Sequence, residues 1–300
     1  MTSPSGQSVI PIGAVATGIA IYVVMDVLMK SLSIGLGVYN AMLWRSILGA
    51  ALVAIPFFTI HSGWPKKDVL RLHIWRGVVV SVMAFLFFWG LVRIPLAEAV
   101  ALSFIAPLIA LYFAAVMLHE KIGPRSIVAS LIGFVGALII VSGNLGSEFS
   151  DDALWGIAAI LLSALLYAYN LILQRRQALV AQPLEIAFFN HVVIATVYVL
   201  LAPFIAVIPP TKALPSLLAA TLCGIASMLL ISWAYGRAEA RVLIPIEYSA
   251  FVWAALLGWL VFSEALTITT VVGTLLIVGG CLLVSRQKPS RVDHVETTAV

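Results

Sequence analysis

The chain has 300 residues, 62% hydrophobic and 10% charged, with a mean hydropathy of +1.11 and a formal net charge of +4. A soluble domain is usually about 45–50% apolar and about 25% charged, so this chain has too little polar surface to face water all round. That excludes a soluble globular protein and leaves an all-α integral membrane protein. Loop charges explain the basic balance better than nucleic-acid binding does. Cys223 and Cys281 both fall in apolar runs, which argues against a disulfide framework.

A spanning helix needs about 20 mostly apolar residues. Ten runs are predicted to span, and the first, 10–33, carries YVVMDVLMK at 22–30. A bare charge at mid-bilayer costs roughly 2.5–3.5 kcal/mol on insertion scales, so Asp26 and Lys30 demand a reason. Four residues apart on a helix, they share a face. They read either as a structural pair near the outer mouth or as a gate or coupling element. Run 38–60 holds Arg45, and run 72–92 is rich in aromatics and ends near Trp89. Run 95–117 contains Pro107, which breaks its helix and frees a carbonyl at depth. Run 125–143 carries the small stripe Ala129, Gly133, Ala137, a close-contact face suited to internal packing or to a homodimer seam.

The second half follows the same style. Run 153–174 contains Tyr167, and run 184–207 contains His191, either a titrating group or a packing residue. Run 213–235 ends in Trp233 and Tyr235. Run 241–262 places Glu247 and Tyr248 just after Pro245, whose ring removes a helix hydrogen bond. Glu247 has no basic residue three or four positions away, so it should face protein or water rather than lipid. Tyr22, Tyr167 and Tyr248 lie well within runs, where each hydroxyl needs a partner. Run 268–285 has Gly273 and Gly280, a second face for a homodimer through the fifth or tenth helix.

Lys66, Lys67, Arg71, Lys121, Arg125, Arg175, Arg176, Arg237, Arg241, Arg286, Lys288 and Arg291 fall in one alternating set of loops and the tail. The other set has Arg93 and Lys212, beside Glu148, Asp151 and Asp152. Positive charge stays inside, so both termini are expected in the cytoplasm of a multi-pass inner-membrane protein. LLYAYNLILQRR (165–176) lies over AIYVVMDVLMKS (20–31), and HEKIGPRSIVASLIGFVGALII (119–140) over SEALTITTVVGTLLIVGGCLLV (263–284). The expected organisation is therefore ten transmembrane helices in two inverted-topology five-helix repeats, 1–145 and 146–287, with a short cytoplasmic tail at 288–300. Such repeats are typical of alternating-access transporters with a midplane site. No P-loop, GxSxG, HExxH or paired intramembrane Asp is present, so neither ATP-driven transport nor intramembrane catalysis is expected. No cofactor or metal is implied.

WRSILGAAL in the second run, PLAEAVALSFIAPLIALYFAAVMLHE in the fourth and EYSAFVWAALLGWLVFSEAL in the ninth, with Lys30 near the end of the first, resemble the drug/metabolite transporter superfamily over nearly the whole chain. Within it the chain looks like the EamA-type exporters, including YddG-like aromatic amino acid exporters. The resemblance implies a secondary transporter, an exporter of small solutes such as aromatic amino acids. Its central cavity would be lined by the first, third, fourth, sixth, eighth and ninth helices. On that basis Tyr22, Trp89, Ser103, Tyr167, Trp233, Glu247 and Tyr248 would bind substrate, and Asp26, Lys30, Arg45 and His191 would gate or couple. An uptake carrier for a vitamin or nucleotide-like metabolite, and a non-transporting membrane scaffold, are the alternatives.

Overall fold

The computed structural model describes residues 9–60, 63–94, 96–103, 105–119, 122–144, 151–263 and 268–285. The tail from 288 onward lies outside the described residues. The described residues are helical apart from short connections, as a hydrocarbon solvent requires of any backbone that must satisfy its own N–H and C=O groups. In order, the helices are α1 (Val9–Leu36), α2 (Val38–Ile60), α3 (Lys67–Leu91), α4 (Leu96–Ser103), α5 (Ile105–Met117), α6 (Pro124–Asn144) and α7 (Asp151–Val180). There follow α8 (Pro183–Val199), the single turn α9 (Ala202–Ile205), α10 (Leu214–Tyr235), the single turn α11 (Ala240–Leu243), α12 (Ser249–Phe262) and α13 (Ile268–Ser285). A 3-10 turn, Ile244–Tyr248, joins α11 to α12.

This corrects the expected ten-span, two-by-five inverted architecture. Among the described residues, six segments are long and apolar enough to cross a membrane: Val9–Leu36, Val38–Ile60, Lys67–Leu91, Asp151–Val180, Thr211–Tyr235 and Ala240–Phe262. The fourth, fifth and seventh apolar runs give shorter apolar helices, Ile105–Met117, Pro124–Gly136 and Pro183–Val199. For the seventh run the reason is helix continuity. An apolar run counts side chains, whereas a span also needs an unbroken backbone. In the fourth run, α4 and α5 lie on either side of position 104, which is outside the described residues, and the seventh run ends its helix at Val199, short of its apolar limit.

Local sequence sets the connections. α1 turns into α2 through Gly37 alone, at φ +78°, a left-handed conformation that glycine adopts without a Cβ penalty. Asn40 accepts from the Val207 N–H at 2.8 Å, and Trp44 donates to the Val207 carbonyl at 2.8 Å. Tyr39 donates to the Tyr198 carbonyl at 2.6 Å. These bonds anchor α2 to the end of α8 and to the connection after α9.

Helices from distant parts of the chain pack most extensively: α1 on α10, α2 on α8, α3 on α7, and α6 on α13. The glycine faces serve these contacts within one chain. A Cβ on Gly280 would lie 2.9 Å from the Ala129 carbonyl oxygen, and one on Gly133 would lie 2.7 Å from the Tyr248 ring. The α3–α7 crossing is the tightest against backbone, since a Cβ at Gly90 would sit 2.6 Å from the Gly156 carbonyl oxygen. A carbonyl cannot swing aside as a side chain can. Gly90→Ala should therefore lower stability by about 1–3 kcal/mol, the range for overpacking. Gly13→Ala, with open space around it in α1, should be neutral or slightly stabilising. Denaturation in detergent checks both, and equal effects would contradict the crossing geometry.

Candidate functional site

A cavity of about 170 Å³ opens between α1, α2, α3, α7, α8 and α10, with α4, α5 and the 244–248 turn at its side. Its walls are mostly apolar, with Met25, Val80, Met83, Phe87, Phe88 and Ile194 among them. Seven of the expected site residues line it: Tyr22, Asp26, Arg45, Ser103, Tyr167, His191 and Glu247. Arg45 on α2 and Asn190, His191 and Ile194 on α8 bring the second and seventh runs into a wall expected to lack them.

The remaining four expected residues stand elsewhere. Trp89, at the end of α3, lies under the Arg93 guanidinium at 3.5 Å, and Arg93 also donates to the Trp89 carbonyl and to Asp152. Trp233, near the end of α10, lies under Arg237 at 4.2 Å. Both indoles are thus committed to cations at helix ends. Tyr248 is buried against Gly133. Lys30 donates to the Ile94 carbonyl at 3.2 Å and lies 5.1 Å over the Phe262 ring. Among the described residues Asp26 makes no ion pair with it.

Glu247 is well partnered. The 3-10 turn that Pro245 initiates points its carboxylate at two phenols. Tyr167 donates to Oε2 at 2.5 Å and Tyr235 to Oε1 at 3.4 Å. Tyr22 remains 38% exposed, and it lines the cavity, where its hydroxyl is available to a solute. Ser103 turns its hydroxyl back to the Ala99 carbonyl at 2.9 Å, so it offers the cavity only an acceptor.

A second group of polar atoms has no protein partner. Asp26 Oδ1, Arg45 Nε, Asn190 Oδ1, both ring nitrogens of His191 and Ser227 Oγ are buried and unsatisfied, and all five residues line the cavity. His191 is held by packing, because its ring lies so close to Gly49 that a Cβ there would be 2.3 Å from Nδ1. Buried polar groups normally find partners, so five of them around one hollow mark a place where water or solute supplies the bonds. Asp26 and Arg45 are 5% and 7% exposed, lie on different helices, and form no ion pair with each other.

Arg76, which falls in the run 72–92 and was assigned no role above, also lines the cavity. It is 2% exposed. Its Nε donates to Asn170 Oδ1 at 2.9 Å, and its two terminal nitrogens donate to Gln177 Oε1 at 2.7 Å and Gln174 Oε1 at 3.1 Å. All three partners are neutral amides on α7. They satisfy the guanidinium donors without cancelling the charge, which stays available to the cavity it lines. The signal was readable: NLILQRRQ puts Asn170, Gln174 and Gln177 at helical spacing along one face of an otherwise apolar run.

A hollow among packed membrane helices, mostly apolar with converging charged groups, is the architecture of a membrane solute carrier. The EamA-like transporter family model matches the chain twice, at residues 9–142 and 154–286, and the chain belongs to that family. The chain is 29% identical to the pseudopaline exporter CntI of Pseudomonas aeruginosa (strain UCBPP-PA14), over 88% of this chain and 92% of the relative. It is 23% identical to the S-adenosylmethionine uptake transporter of Rickettsia prowazekii (strain Madrid E), over 86% of each. The riboflavin transporter of Rhizobium johnstonii is 28% identical, over 73% of this chain and 71% of the relative. A solved crystal structure superposes with a TM-score of 0.72 at 21% identity, covering 91% of this chain and 95% of that one, and shows a shared fold. The protein is a multi-pass membrane protein and a secondary transporter of a small organic solute, in a family of carriers rather than enzymes.

Proposed function

We propose that this chain carries a zwitterionic metabolite of nucleoside-like build, larger than a free amino acid. The observation that carries the reading is a buried carboxyl and a buried guanidinium lining one cavity, Asp26 and Arg45, each with an unsatisfied polar atom, Oδ1 and Nε, and with no ion pair between them. Left to each other, two such ions would pair. Held apart, they suit a solute bearing an ammonium and a carboxylate together, each completing a charge-assisted hydrogen bond. The apolar wall of Phe87, Phe88, Met25 and Met83 suits a flat ring system attached to that head. Relatives named for S-adenosylmethionine uptake support a solute of this build. Asp26, Arg45, Asn190 and Ser227 would hold the charged head, and Tyr22, Tyr167 and Glu247 would line its passage. The cavity would open to each side of a bacterial inner membrane in turn, with both termini cytoplasmic.

The test is counterflow in proteoliposomes loaded with S-adenosylmethionine, riboflavin, phenylalanine or tryptophan, which reads exchange whichever way net flux runs. S-adenosylmethionine should exchange fastest. Riboflavin carries neither an ammonium nor a carboxylate, so its exchanging fastest would overturn the zwitterion reading. An aromatic amino acid exchanging fastest would keep the charged pair and overturn the larger solute.

A further inference from the structure

His73, one turn before Arg76 on α3, is 1% exposed and belongs to no solute contact. Its Nε2 lies 2.8 Å from Glu185 Oε1, at the first turn of α8, and its Nδ1 lies 2.5 Å from Gln177 Nε2 on α7. Its ring stacks on Phe189 with centroids 4.7 Å apart and planes 13° from parallel. The far side of the same Gln177 amide accepts from Arg76. Glu185 lines an opening formed with Gly63, Trp64, Lys66 and Val180, while Arg76 lines the solute cavity. One continuous chain of hydrogen bonds therefore runs from a separate opening to the transport site.

Donor and acceptor rules fix every proton along it. A guanidinium only donates, so Gln177 must turn its oxygen toward Arg76 and its NH2 toward His73. An amide NH2 also only donates, so His73 Nδ1 must be bare. The single proton of the neutral ring then sits on Nε2 and donates to the Glu185 carboxylate.

We propose that His73 is a proton-binding site wired to the solute cavity, in which a proton taken up at Nδ1 reverses Gln177 and releases one bond of Arg76. The imidazolium would present N–H at both nitrogens, and Nδ1–H would meet the Gln177 NH2, donor against donor. The amide must rotate half a turn so that its oxygen accepts from His73. Its NH2 then faces the Arg76 donor, and that contact opens. Arg76 keeps Asn170 and Gln174 and gains freedom to lean toward the solute. No covalent bond other than the new N–H forms or breaks, and the network gains one positive charge. Among the described residues, the charged groups facing the ring are Glu185 from α8 and Arg76 from its own helix. The Phe189 face adds cation–π attraction, α7 presents the neutral Gln177, and Phe57 of α2 packs edge-on against Phe189. This inference does not depend on which solute is carried.

The experiment needs no solute. The full chain is labelled with 15N-histidine and 15N-arginine, placed in lipid nanodiscs and followed by NMR as pH is lowered. The His73 resonances are those lost in His73→Gln, and the Arg76 Nε–H is the one lost in Arg76→Lys. His73 should show the Nε2–H form at high pH and become imidazolium as pH is lowered, with the Arg76 Nε–H signal moving at the same midpoint. In Gln177→Leu, His73 should still titrate while Arg76 stops responding. The proposal is overturned by an Nδ1–H form at high pH, by a His73 signal that stays constant as pH is lowered while the chain remains folded, or by an Arg76 signal that ignores the His73 transition in the native chain.

Discussion

Arg76→Met is expected to cause the largest loss of stability of any single change in the cavity wall, about 3–5 kcal/mol, the range for breaking a buried charged contact. The guanidinium is 2% exposed and holds Asn170, Gln174 and Gln177 at once. Methionine fills much of the volume but donates nothing, so three amide oxygens on α7 lose their partners. Each unsatisfied buried acceptor costs about 1–3 kcal/mol, and the sum is softened by rearrangement of the amides among themselves. Arg76→Lys keeps the charge but cannot fork to three acceptors, so its loss should be intermediate. Thermal unfolding in detergent orders the three proteins. A methionine variant as stable as the native chain would mean that α7 does not depend on this cradle.

Asp26→Asn and Arg45→Gln are expected to have the largest effects on transport. A hydrogen bond to a charged group contributes about 1.5–3 kcal/mol, and each 1.4 kcal/mol is tenfold in affinity, so each variant should weaken apparent affinity for a zwitterionic solute about 10- to 100-fold. Among the described residues neither side chain forms an ion pair. Neither change should therefore unfold the chain as Arg76→Met does, and a thermal scan beside the flux assay separates the two kinds of loss. Variants that transport normally would remove Asp26 and Arg45 from the site.

Much of this was legible in the residues. Membrane residence followed from composition, and the family resemblance from motifs in order along the chain. Asp26, Arg45, His191, Tyr167 and Glu247 stood out because polar groups in apolar runs need a reason, and the cavity gathers them from α1, α2, α7, α8 and the turn after Pro245. Other features were not legible, for physical reasons. Hydropathy averages side chains and cannot see that the seventh run's helix ends at Val199; ten runs were expected, and six long apolar segments stand among the described residues. Trp89 and Trp233 share the composition of cavity aromatics, yet an arginine four residues on in each case caps the indole. Tyr248 follows Glu247 directly, and the 3-10 turn sends the two side chains opposite ways, the acid to Tyr167 and the phenol ring to Gly133. Arg76 was overlooked because its partners are neutral amides about a hundred positions away, with no acid to signal a pair.

The central claim is that Asp26 and Arg45 read opposite charges on one solute. It is tested most directly by counterflow of S-adenosylmethionine against its decarboxylated and N-acetylated analogues, in the native chain and in Asp26→Asn and Arg45→Gln. The account predicts that the native chain rejects both analogues, that Asp26→Asn stops distinguishing the N-acetyl form, and that Arg45→Gln stops distinguishing the decarboxylated one. A native chain that exchanges all three solutes equally, or variants that leave its preferences unchanged, would contradict it.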